Sequence, residues 1–186
     1  NRFNALSLEL SLRARGVCER AGSVDSMMTQ AYHDRFSGVE SVYNSEALAR
    51  FARAHVCVIG IGGVGAWSAE ALARSGVGTL TLIDLDEICV TNINRQLHAL
   101  TSTIGRSKVA TLRARLLDIN PELIVHGIEQ FYTEKSESEL LGSPADPPRF
   151  DVVIDAIDHT MRKSALARAC LARALPLVIC GAAGGR

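Results

Sequence analysis

Gly60, Gly62 and Gly65 stand at the spacing G-x-G-x-x-G within Gly60-Ile61-Gly62-Gly63-Val64-Gly65. That pattern suits the holding of phosphate. The first glycine permits a tight turn, the second lets a phosphate approach the backbone, and the third lets a strand and a helix pack closely. A helix starting there adds unpaired N–H groups and the positive end of its dipole. A purely structural glycine turn looks the same in isolation, so the flanking sequence decides. Asp84 lies nineteen residues after Gly65, where an acid commonly accepts from ribose hydroxyls. A helix cap or a solvated strand end is the plainer role for it. To this point a nicotinamide dinucleotide and ATP fit equally well.

The next residues separate the two. Asp86 is followed by Cys89-Val90-Thr91-Asn92-Ile93-Asn94-Arg95-Gln96-Leu97-His98 and then by Gly105-Arg106-Ser107-Lys108. A dehydrogenase has no use for an arginine and a lysine here, whereas a triphosphate does. Arg95 offers a planar fork of donors for phosphate oxygens, and Lys108 a point charge where pyrophosphate would leave. Alone, each reads as a surface ion pair or a solvated helix face; after this glycine loop they read together as a phosphate site. Asp155-Ala156-Ile157-Asp158 completes the set, at the carboxyl edge of a strand, where doubly wound sheets bind ligands. Asp158 is placed to hold Mg²⁺, which takes one or two carboxylates and the substrate's phosphates; an N-cap on the next helix is its other reading.

These residues need a frame of alternating strands and helices. Apolar runs predict strands at His55–Ile59, Leu80–Asp84, Leu123–Ile128, Asp151–Asp155 and Leu177–Cys180. Helical spacing predicts helices at Ser45–Arg53, Val64–Arg74, Arg106–Asp118, Thr133–Leu141 and Met161–Ala174, the last stopped by Pro176. The expected fold is α/β, a Rossmann-like, doubly wound, mainly parallel sheet with right-handed crossovers and flanking helices. We expect an ill-defined extension over residues 1–28 and an adenylation domain, incomplete at its carboxyl end, over 29–186. The chain starts at Asn1 and stops at Gly184-Gly185-Arg186 soon after a strand, so it reads as a piece of a longer protein.

Twenty basic and twenty acidic side chains cancel, so any polyanionic partner must find a local patch. Two helices offer one: Arg106, Lys108, Arg113 and Arg115, then Arg162, Lys163, Arg168 and Arg173. Solvated helix faces explain the same residues equally well. Cys18, Cys57, Cys89, Cys170 and Cys180 include no C-x-x-C pair, which argues against a zinc cluster within this sequence. Cys57 and Cys180, inside apolar runs, are expected to be buried reduced thiols, which suits a cytoplasmic protein. Residues 1–27 leave organelle targeting open, although their acids weigh against it. No apolar run reaches membrane-spanning length.

The ordered set G-x-G-G-x-G, D-x-D, N-x-N-R-Q, G-x-x-K and D-x-x-D resembles the ThiF/MoeB-like, ubiquitin-activating-type adenylating superfamily, over about Arg35 to Arg186. Gly63-Val64-Gly65-Ala66-Trp67, Cys89 to Ala99, Asp155 to Asp158, Gly181-Ala182-Ala183-Gly184-Gly185, and Arg35-Phe36-Ser37-Gly38 with Tyr43 are most similar to its branch that uses ATP to dehydrate threonylcarbamoyladenosine in tRNA. The resemblance implies that Gly60, Gly62, Gly63 and Gly65 cradle ATP, that Asp84 binds its ribose, and that Asp86 belongs to the ATP site. Arg95 and Lys108 would bind phosphates, Asn92 and Gln96 would shape the site, and Asp158 would hold Mg²⁺. Arg35 would reach a partner subunit's ATP, so a homodimer is implied. Implied partners are tRNA bearing threonylcarbamoyladenosine and a sulfur-relay protein. Adenylation of a ubiquitin-like sulfur carrier is the near alternative. An NAD-dependent oxidoreductase and a non-catalytic partner subunit are more distant ones.

Overall fold

A computed structural model describes residues 28–181. Two helices open it, α1 (Gln30–Tyr43) and α2 (Ser45–Arg53). Then come β1 (His55–Ile59), α3 (Gly65–Arg74), β2 (Thr79–Ile83), α4 (Lys108–Ile119), β3 (Ile124–Ile128), α5 (Glu137–Leu141), β4 (Val152–Asp155), α6 (Thr160–Ala172) and β5 (Leu177–Ile179). The five strands form one sheet in the order β3-β2-β1-β4-β5, and every neighbouring pair is parallel. This is the expected doubly wound α/β fold. Strand order reverses between β1 and β4, so their carboxyl ends flank the crevice where such sheets bind ligands.

The inner strands β1, β2 and β4 are buried on both faces because helices cover both. Val56 and Val58 of β1 join Leu80 and Leu82 of β2 beneath α3 and α4, whose Ala66, Ala69, Val109 and Leu112 fill one core. Cys57 and Ile59 turn the other way, with Ile83 and Val153, beneath α5 and α6. The small face of α3, rich in alanine, lets that helix lie close over the sheet.

Most expected elements appear, shifted by a residue or two. The expected helix at 133–141 contracts to the five residues of α5, since Thr133 and Ser136 bond each other's backbone and form a turn first. The sequence reading missed α1, whose Ser37-Gly38 pair and mostly polar surface weaken its periodicity. Tertiary contacts hold it: Thr29 caps it, Tyr32 and Phe36 pack against Leu48 of α2, and the Tyr32 hydroxyl donates to the carbonyl of Gly76, just before β2. This places α1 at the amino end of the sheet. The extension at 1–27, Cys18 and the Ala182–Arg186 part of the glycine-rich tail lie outside the described residues.

Candidate active site

The turn after β1 takes its shape from glycine. Gly60 has φ +90°, and a Cβ there would come within 2.8 Å of the Ala156 carbonyl oxygen. A Cβ on Gly65 would sit 1.8 Å from the Gly60 oxygen, so the first turn of α3 packs directly on the strand end. A Cβ on Gly62 would meet nothing nearer than the Gln96 amide nitrogen, at 3.8 Å. Its missing side chain leaves space for a ligand instead of relieving a protein clash.

Asp84, at the end of β2, is nearly buried. Its Oδ2 accepts the Ile61 N–H at 2.6 Å and its Oδ1 accepts the Asp86 N–H at 2.8 Å. The same carboxylate that faces the cavity therefore fixes the glycine turn, a role the sequence reading did not foresee. Each oxygen keeps a lone pair for a ligand hydroxyl.

Between β2 and α4 the chain folds into short turns that deliver the cationic arm. Asn92 is buried and its Oδ1 accepts the Cys89 N–H at 3.0 Å; its carbonyl accepts from the N–H groups of Arg95 and Gln96. Arg95 stays exposed, its guanidinium donating to the Thr91 carbonyl at 2.8 Å and to Asn94 Oδ1 at 3.0 Å. The Trp67 indole N–H donates to the Arg95 carbonyl at 3.3 Å, although the ring is 54% exposed. Gln96 is buried, and its Oε1 finds no hydrogen-bond partner among the described residues. Lys108 is not a solvated helix residue. It is 5% exposed and its Nζ lies 2.7 Å from Asp86 Oδ2.

One cavity of about 690 Å³ brings these groups together. Gly60, Gly62 and Gly63 line it, with Asp84 and Asp86 at the end of β2. Asn92, Arg95, Gln96 and Lys108 form one wall, and Asp158 stands beyond β4. Asp158 is exposed and makes no hydrogen bond or ion pair with the described residues. The N-cap of α6 is His159, without a side-chain cap, so the capping role for Asp158 is not realised. Gly65 and Arg35 do not line the cavity. Gly65 acts through packing, and Arg35 is exposed on α1, at the amino end of the sheet away from the cavity.

Sequence reasoning missed the opposite wall. Gln130, Phe131 and Tyr132, after β3, and Arg162, in the first turn of α6, also line the cavity. The Arg162 guanidinium lies over the Phe131 ring, 5.4 Å from its centroid. Burial, then Glu137, pushes the Tyr132 phenol well above its ordinary range, so it remains a protonated donor. Cys180 was expected to be buried inside a strand. It lies beyond the end of β5, half-buried, at the edge of the cavity.

The proposed basic helix faces do not form as read. Arg173 is 5% exposed, bonded to Glu137 at 2.8 Å and to the Gly142 carbonyl at 2.7 Å. Lys163 lies 3.0 Å from Asp155 Oδ1 and donates to the Cys180 carbonyl at 2.8 Å, so it ties β4 to the end of β5. Arg115 is bound to Glu70 at 2.6 Å. Burial is the reason in the first two cases, since a buried cation must be paired.

The ThiF family profile matches residues 35–186. The chain is 47% identical over 155 residues to tRNA threonylcarbamoyladenosine dehydratase of Haemophilus influenzae, covering 83% of this chain and 58% of that protein. It is 33% identical to the Escherichia coli sulfur carrier protein ThiS adenylyltransferase over 69% of this chain and 49% of that protein. Its fold matches the crystal structure of the E. coli tRNA N6-threonylcarbamoyladenosine dehydratase in complex with ATP, with a TM-score of 0.79 and 44% identity, covering 86% of this chain and 63% of that one. The chain therefore spans less than two thirds of the length of each of these relatives. No helix among the described residues is long and apolar enough to cross a membrane.

Proposed function

This chain belongs to the ThiF family, and from that premise we propose that it is the ATP-binding part of an enzyme that adenylates the carboxylate of threonylcarbamoyladenosine in tRNA and then closes it to the cyclic form. The observation that carries the reading is the single cavity joining the glycine turn, Asp84, Arg95, Lys108 and Asp158. A relative 44% identical in sequence is named for that dehydratase and has been solved with ATP.

The glycine turn would hold the phosphates on backbone N–H groups, and Asp84 would accept a ribose hydroxyl. A carboxylate oxygen of the substrate attacks the α-phosphorus, and the bond to pyrophosphate breaks. Arg95 and Lys108 neutralise the leaving charge by fixed position. A nucleophile on the substrate itself then attacks the acyl carbon and expels AMP, which carries away the carboxylate oxygen. The step needs no cysteine from this chain. Asp158 suits Mg²⁺: it is a hard oxygen donor at the cavity wall, unpaired among the described residues, and Mg²⁺ takes only one or two carboxylates beside substrate phosphates. Mg²⁺ bound there would neutralise phosphate charge. Because Arg35 lies away from its own cavity, its role would require a second copy of the chain. A sulfur-relay protein and a cytoplasmic setting complete the reading.

The test is mass spectrometry of tRNA nucleosides after incubating the full-length protein with ATP and tRNA bearing threonylcarbamoyladenosine. The modified nucleoside should lose one water. No loss, combined with adenylation of a small sulfur-carrier protein, would replace this reading with the carrier-activating one.

A further inference from the structure

We propose that Asp155 and Lys163 are a positioning pair: they set the cavity wall that carries Asp158, and with it the place of the metal that Asp158 would hold. The inference rests on the adenylation reading above and concerns how that site is kept in shape.

The exposed Asp158 side chain bonds to none of the described residues, so its position is that of the backbone beneath it. Asp155 holds that backbone. Its Oδ1 accepts the Ile157 N–H at 3.0 Å, and the Ala156 N–H donates to the Ile59 carbonyl at 2.9 Å. Asp155 is fully buried and is itself held by Lys163. The Lys163 ammonium lies 3.0 Å from Asp155 Oδ1. It also donates to the Asp155 carbonyl at 3.4 Å and to the Cys180 carbonyl at 2.8 Å. Each of its three N–H donors thus has an acceptor, two at the end of β4 and one beyond β5.

Those acceptors carry cavity wall. Ala156, Ile157 and Asp158 follow Asp155 into the lining, and Cys180 and Gly181 line it too. The Asp84 carboxylate acts in the same way at the end of β2, where it fixes the glycine turn. As a stabiliser the pair is a poor device, because taking both charges out of water costs about what their attraction returns. As a positioning device it is apt: an ammonium between three fixed oxygens holds two strand ends in one arrangement. Groups that orient a metal ligand from behind govern metal affinity without touching the ion.

The experiment uses the full-length protein, Lys163→Arg, and an apolar pair that combines Asp155→Leu with Lys163→Met. Calorimetry measures ATP affinity in EDTA and across a series of Mg²⁺ concentrations. ATP–pyrophosphate exchange with tRNA bearing threonylcarbamoyladenosine gives kcat and KM for ATP, and thermal unfolding gives the melting temperature. The apolar pair should melt near the wild type, since it leaves no buried charge, yet need about 10- to 100-fold more Mg²⁺ to tighten ATP. Its ATP affinity in EDTA and its KM for ATP at saturating Mg²⁺ should change little, because the glycine turn and Asp84 are intact, while kcat falls. Lys163→Arg keeps a cation with several donors and should recover most of the Mg²⁺ response. An apolar pair with the melting temperature and the Mg²⁺ response of the wild type would make both residues purely structural and overturn the proposal. An equal loss of ATP affinity in EDTA would mean a general collapse of the cavity and also overturn it. A wild type whose ATP affinity ignores Mg²⁺ would remove this inference together with the metal assignment. If the apolar pair unfolds, Asp155→Asn with Lys163→Met decides in its place, because it cuts the same tie and keeps the shape of the acid. If the wild type binds ATP with Mg²⁺ but leaves the tRNA unchanged, the function proposed above falls, and the calorimetric comparison still decides this inference.

Discussion

The Asp84 carboxylate accepts the N–H of Ile61 across 23 residues of chain, at 2.6 Å, so the end of β2 holds the turn that follows β1. Asp84→Ala should therefore do more than remove a ribose contact. A hydrogen bond to a charged acceptor contributes about 1.5–3 kcal/mol, and the loosened turn should lower ATP affinity further. We expect a loss of more than about 30-fold in affinity, accompanied by a lower melting temperature without ligand. Calorimetry and thermal unfolding together check this; lost affinity with an unchanged melting temperature would leave only the ribose contact.

The glycines should separate into two kinds. Gly65→Ala places a Cβ 1.8 Å from the Gly60 oxygen, and should lower the melting temperature by about 10 °C or prevent folding. Gly62→Ala meets only an ordinary contact at 3.8 Å, so it should fold normally yet bind ATP poorly. Equal melting temperatures for the two variants would contradict this division.

Asp158→Ala should abolish ATP–pyrophosphate exchange and leave the melting temperature near that of the wild type, because Asp158 is exposed and supports no neighbour. Exchange at the normal rate in that variant would remove the metal assignment.

The pair Asp155–Lys163 should behave as a buried ion pair. Asp155 is fully buried, with its Oδ2 unpartnered, so Lys163→Met leaves a charge without compensation. The expected cost is about 3–5 kcal/mol. Adding Asp155→Leu to Lys163→Met should recover most of it, and a double-mutant cycle by urea unfolding measures the coupling.

His98 gives stability a pH dependence. Burial, and then the charge of Lys108, push its imidazole down from 6.5 to about 4, and neither ring nitrogen has a partner among the described residues. The unfolded state thus binds more protons between these values. Stability from this group is full above about pH 6.5 and falls as the pH drops toward 4, by up to about 3 kcal/mol. Unfolding free energies measured across that range should show the slope, and His98→Phe should flatten it. An identical slope in the variant would reassign the effect.

The middle of the sheet was legible because β1, β2 and β4 are buried on both faces and so appear as short, mostly apolar runs. The glycine turn was legible because glycine spacing is a backbone requirement and leaves a mark in the sequence. The opposite wall was not. Phe131 and Arg162 lie 31 positions apart on different elements, and nothing in either neighbourhood signals that a ring and a guanidinium will meet. Exposure was the other weak point. Lys163 and Arg173 look like solvated helix cations until the fold pairs them with Asp155 and Glu137.

Trp67 is the one tryptophan of the sequence, and its indole N–H rests on the carbonyl of Arg95. The protein therefore carries a built-in optical probe fastened to the arm that would hold phosphate. Emission excited selectively from that indole reports on one place, without labelling. A spectral change on adding ATP, with its rate followed by stopped flow, would time nucleotide binding apart from the chemistry that follows it.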